Sequence, residues 1–127
     1  MSKASFEDQI ESARSLVEAF KLATSAEGLS AWLTSTSKVD VRTSGKIHFD
    51  GDNDFGLAVF SSVELGKHAV INSENFGEIR IDFSGTDSSS IVRFTFSKMT
   101  LPDERESYLN FADQACSKFA QLVSGAM

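Results

Sequence analysis

One cysteine, one proline, one tryptophan and one tyrosine occur in this chain of 127 residues. Each scarcity excludes something. The single Cys116 cannot close an internal disulfide. No run of eighteen or so apolar residues is present, which excludes a membrane-spanning helix of ordinary length. The opening stretch from Met1 to Ser15 carries charges where a secretory leader needs an apolar segment, so a reducing, cytoplasmic location is expected. Basic residues are also in deficit: 12 Lys and Arg against 18 Asp and Glu leave a net charge of −6, a poor surface for tracking phosphates, and nucleic acid is not an expected partner. CxxC, HExxH, glycine-rich phosphate loops and Asn-x-Ser/Thr sequons are absent, so neither a metal nor a cofactor is expected.

What the chain has in excess is phenylalanine, with eleven. Its length suits a single domain over residues 1–127, long enough to bury a core without staples. Residues Lys3 to Ile10 predict a first strand, with Phe6, Asp8 and Ile10 on one side. From Ala13 to Ala23, Leu16, Val17, Phe20 and Ala23 recur at helical spacing with Ser12 as N-cap. Leu29, Trp32 and Leu33 predict a second short helix that ends in Thr34-Ser-Thr-Ser.

From Val39 the period falls to two. Val39 and Val41, then Ile47 and Phe49, predict a hairpin turning at Thr43-Ser-Gly. Phe55 to Leu65 and Lys67 to Ser73 predict two more strands. Ile79, Ile81 and Phe83, then Val92, Phe94 and Phe96, alternate cleanly with polar residues and predict strands with one buried face. Pro102 and Asp103 open a long helix on which Tyr108, Phe111, Ala112, Ala115, Phe119, Leu122 and Val123 form a wide apolar stripe. The class is α+β, with an antiparallel sheet covered on one face by the last helix.

Most polar groupings read as ordinary surface. His48 and His68 have no spaced ligand partners and read as solvated. Asp50-Gly-Asp-Asn-Asp imitates the start of a calcium loop, but Phe55 stands where that loop requires glycine and Ser61 where it requires a bidentate Glu. Glu78, Arg80 and Asp82 read as a solvated strand face, and Cys116 as a small packed residue.

The segment from Leu16 to Leu33, a valine-containing helix running into Thr24, Glu27, Leu29 and Trp32, resembles the opening signature of the START-like (SRPBCC) helix-grip superfamily. The stretch from Val39 to Phe49 is similar to its second landmark, a strand, a glycine turn and a returning strand. The branch most alike is that of the heat-shock-protein-90 ATPase activator's C-terminal domain, which includes many small bacterial proteins. The resemblance implies a curved antiparallel sheet wrapped around a long C-terminal helix, two short helices after the first strand, and a cavity between sheet and helix. Trp32, Phe49, Phe83, Phe94, Phe96, Tyr108, Phe111 and Phe119 would then converge on that volume. The residues leave two outcomes open: interlocked rings at native packing density, or an aromatic wall around the roughly 300 Å³ that a small-molecule site requires. The function implied is non-enzymatic binding of a small apolar ligand. The alternative is a chaperone-associated interaction module, with self-association through an edge strand as a further expectation. A cyclase or hydrolase would need an inward acid or base. Tyr108 alone qualifies, and a phenol with a pKa near ~10 is a weak catalyst at neutral pH.

Overall fold

The computed structural model describes residues 2–49, 57–73 and 77–124. Strand β1 (Ser2–Ser12) leads into helices α1 (Leu16–Thr24) and α2 (Ala26–Trp32). Six strands follow: β2 (Thr36–Val39), β3 (Lys46–Phe49), β4 (Leu57–Glu64), β5 (His68–Ser73), β6 (Gly77–Gly85) and β7 (Ser90–Thr100). Helix α3 (Arg105–Ser124) ends the described chain. The sheet order is β1-β7-β6-β5-β4-β3-β2, antiparallel at every step. Strands β2 to β7 are therefore a meander, and β1 closes on its last member. Because β1 and β2 form opposite edges, α1 and α2 must carry the chain across the sheet. This is the helix-grip arrangement: a curved seven-stranded sheet with α3 and the two short helices against one face.

Alternation sets the buried face. Ile79 lies opposite Phe96, Ile81 opposite Phe94 and Phe83 opposite Val92, and all six are buried. One register step would turn this set to solvent, so the pairing is strongly specified. The ends of the sheet read less directly. β1 runs two residues past Ile10, and Ser12, expected to cap α1, is instead its last residue. The cap is Ser15, whose Oγ accepts the Glu18 amide hydrogen at 3.1 Å. A polar side chain three residues before a glutamate outcompetes the earlier serine because it meets the amide hydrogens of the first turn. β2 begins at Thr36, inside the polar cluster expected to end the second short helix, and stops before Val41. Residues 40–45 form the connection, with Ser44 at φ 70° and the Gly45 amide donating to the Arg42 carbonyl at 2.8 Å. The calcium-like stretch at 50–54 lies outside the described residues.

Ser25 joins the two short helices. Its amide donates to the Lys21 carbonyl at 2.9 Å, and its Oγ accepts the Gly28 amide at 3.0 Å, so one residue ends α1 and caps α2. The tight joint brings the α2 backbone against α1 at Gly28, where a β-carbon would fall on the Leu22 carbonyl oxygen. Helix propensity alone favours alanine over glycine by about 1 kcal/mol. Here the sign reverses. Gly28→Ala is expected to destabilise by about 1–3 kcal/mol through overpacking, measured as a lower urea midpoint with an unchanged slope.

Candidate functional site

The expected site residues come from five elements. Trp32 ends α2 and is fully buried, with its indole N–H donating to the Ala23 carbonyl at 3.2 Å. Phe94 meets the Trp32 ring edge-on at 5.1 Å and Phe119 at 5.0 Å, while Trp32 and Phe119 stand 6.0 Å apart, nearly perpendicular. Phe96 stacks beside Phe94 at 6.3 Å and touches Phe111 at 6.1 Å, which in turn lies 6.2 Å from Tyr108. These separations lie within the 4.5–7 Å favoured by aromatic pairs. Trp32, Phe94, Phe96 and Phe119 are closed to solvent, and Phe83 and Tyr108 are nearly so. Phe49 and Phe111 are half-buried against the same core. Six of the eight thus form one run of rings from α2 across β7 to α3. Phe83 joins a separate pair with Phe20 of α1, at 5.0 Å.

Phe20 of that pair also lines an apolar cleft absent from the sequence expectations. Its volume is about 620 Å³, within the range of small-molecule sites. Leu16, Val17 and Phe20 of α1 form one wall; Val41 of the β2–β3 connection and Leu65 and Gly66 of the β4–β5 turn form the other. Val17, expected in the buried stripe of α1, is 60% exposed, and Leu65 is 76% exposed. Helix geometry explains Val17: Leu16 and Val17 are adjacent, about 100° apart around the axis, so a helix whose core face carries Ala19, Phe20 and Ala23 cannot bury both fully. An apolar stripe too wide for a nine-residue helix was the signal available in sequence.

The titratable groups near the rings are silenced by their surroundings. Burial, reinforced by the charge of Glu78, holds the Tyr108 hydroxyl well above the usual phenol range. Cys116 is fully buried on α3, and burial first, then the charges of Asp8 and Asp113, push its thiol up to about 12. On the opposite face of the sheet, Ser62 Oγ and His68 Nε2 are 2.7 Å apart, so this half-buried histidine is hydrogen-bonded rather than simply solvated. Asp82 lies across from His68 but is held by Arg80 at 3.2 Å. Among the described residues no group of three or more His, Cys, Asp or Glu could hold a metal ion, and no helix is long and apolar enough to cross a membrane.

No family model and no curated protein matches the sequence, whereas solved structures do. CalU16 from Micromonospora echinospora superposes with a TM-score of 0.73 at 14% identity, over 95% of this chain and 74% of that one. Protein MLL2253 from Mesorhizobium loti gives 0.72 at 15% identity, over 98% of each chain. The Aha1 dimer from Colwellia psychrerythraea gives 0.66 at 19% identity, over the whole of both chains. At such identities the likeness establishes the fold alone, the helix-grip arrangement.

A thiol moved from 9.0 to about 12 carries about a thousandfold less thiolate at pH 8. Cys116 should therefore resist a thiol-disulfide reagent in the native state at pH 8 and react within seconds once urea unfolds the chain. The linkage sign follows. With its folded value raised, the thiol contributes stability that is complete below pH 9 and falls away between pH 9 and 12. Cys116→Ala should flatten that alkaline loss in urea titrations.

Proposed function

We propose that this chain binds a small apolar molecule rather than catalysing a reaction, and that the ligand lies in the cleft under α1 with its inner end against Phe20. The observation that carries this reading is the pairing of a largely carbon-walled 620 Å³ cleft with two bulky apolar side chains left in water at its mouth, Val17 and Leu65. Exposing such groups together forgoes roughly 1.5–3 kcal/mol each of burial energy, which an apolar ligand would recover in part. Phe20 leans on Phe83, one of the residues that the family resemblance directs toward the cavity between sheet and last helix, so the cleft abuts that volume. The packed rings of Trp32, Phe94 and Phe119 then serve as its rigid backing.

The chemistry available supports binding over catalysis. Tyr108 and Cys116 are both held protonated, and the two carboxylates across from His68 on the neighbouring strands are engaged elsewhere, Asp82 by Arg80 and Glu64 by Lys67. A second reading, a chaperone-associated or self-associating interaction module, draws support from the full-length likeness to the Aha1 dimer. In that reading Val17 and Leu65 would meet a protein surface instead of a ligand.

Titration with the neutral fluorophore N-phenyl-1-naphthylamine separates the two. Saturable binding by the wild type is expected, weakened about tenfold or more in Val17→Asp and Leu65→Asp, a difference of about 1.4 kcal/mol. Both positions are exposed, so folding should be unaffected. Absence of binding, or binding indifferent to both substitutions, overturns the cleft.

A further inference from the structure

The charges around the cleft cancel in pairs, with one exception. Next to Leu16 and Val17, Arg14 bonds Glu18 at 3.2 Å. Next to Val41, Arg42 bonds Asp40 at 2.6 Å. Flanking Leu65 and Gly66, Lys67 lies 3.6 Å from Glu64. Each segment that contributes an apolar wall thus carries its own neutralised ion pair. Lys21 does not: it lines the cleft directly, is exposed, and forms no ion pair among the described residues. Glu18, one turn back on α1, is engaged by Arg14, and Glu27, which lines a neighbouring hollow together with Lys21, forms no ion pair with it. The hydroxyl of Thr24, the neighbouring polar group, is spent on the Phe20 carbonyl at 2.8 Å. In a protein with six more acids than bases, an uncompensated cation at the edge of an otherwise apolar cleft is a specific electrostatic feature.

We infer that the cleft selects an apolar ligand bearing a carboxylate, the body lying along Leu16, Phe20, Val41 and Leu65 and the carboxylate meeting Lys21. This rests on the cleft being the ligand site. The lysine stem would cover part of the apolar body while its ammonium group stays in water beside the anion, the usual disposition of this side chain at an apolar edge. Lys21 acts here as a specificity residue: the apolar wall supplies the binding, and the ammonium group discriminates between head groups.

The test compares two probes with one body, decanoate and 1-decanol, each displacing N-phenyl-1-naphthylamine below its aggregation concentration. Decanoate should bind about fivefold tighter, the scale of one exposed ion pair. Lys21→Gln should abolish that ratio by weakening decanoate more than 1-decanol; Lys21→Arg should retain it, and 0.5 M salt should shrink it by screening. Lys118→Gln, a charge change on the exposed face of α3, should leave it unaltered. Equal affinities in the wild type, or a ratio that survives Lys21→Gln, overturn the role of Lys21 while leaving the cleft intact. If neither probe displaces the fluorophore, both the cleft and the selectivity fall.

Discussion

The contact on which the rest of the structure depends is the buried indole of Trp32. Three parts of the chain meet there. Its ring is clamped by Phe94 from the sheet and Phe119 from α3, while its N–H is satisfied by the Ala23 carbonyl at the end of α1. Truncating a fully buried ring of this size costs about 3–5 kcal/mol, and edge-to-face pairs contribute roughly 0.5–1.5 kcal/mol each beyond area. The topology makes the contact necessary. With β1 and β2 at opposite edges, α1 and α2 are a crossover spanning the sheet, and a crossover needs an anchor at its far end. Trp32, the last residue of α2, supplies that anchor just before β2 begins.

That same anchor bears on where the proposed ligand would lie. Phe94 and Phe119 pack edge to face around Trp32 at the centre of the grip, and the run continues through Phe96 to Phe111 and Tyr108. Rigid backing is what a shallow site requires, because a cleft walled by mobile side chains would lose part of its binding energy to ordering them. The apolar surface left over appears where α1 meets two hairpin ends, elements joined by short connections and held from behind by Phe20 on Phe83. Core packing and the site outside it are therefore consequences of one arrangement. The interior packs ring against ring, and the apolar cleft lies at the rim, between α1 and the hairpin ends.

The sheet was legible in the sequence wherever one face is dry and the other wet. Ile79, Ile81 and Phe83 against Glu78, Arg80 and Asp82 encode a strand because period two and burial coincide. The stripe of α3 was legible for the same reason at period 3.6. What could not be read were the joints. Ser12 and Ser15 are both serines able to cap, but Ser15 alone has a glutamate three residues on, and the extension of β1 along β7 to Ser12 takes the first out of contention. Thr36 looks like loop because its strand has a bulged pairing with β3 and lies at an edge, where polar residues are admitted. The cleft was invisible for a deeper reason. Its walls come from residues 16–25, 41 and 65–66, which no local period relates. Of its parts, only the over-wide stripe of α1 left a trace in the sequence.

The resemblance to other helix-grip proteins extends across the chain while identity stays at 14–19% in the three structures compared, so very few side chains are needed to keep the fold. What must be kept is a pattern: inward apolar positions on β6 and β7, a close passage for α2 at Gly28, and an anchor for the crossover. The requirement is one of volume and register, and many residue sets satisfy it. Residues outside that set are free to differ, and the exposed members of the cleft belong there, whereas Phe20 is shared with the core. Val17, Lys21 and Leu65 are exposed and carry none of the core's packing. Their substitution would alter recognition at little cost to the fold. On the proposed reading, specificity would reside at the rim of α1, where the physics of folding imposes least, backed by the packed aromatic rings of the grip.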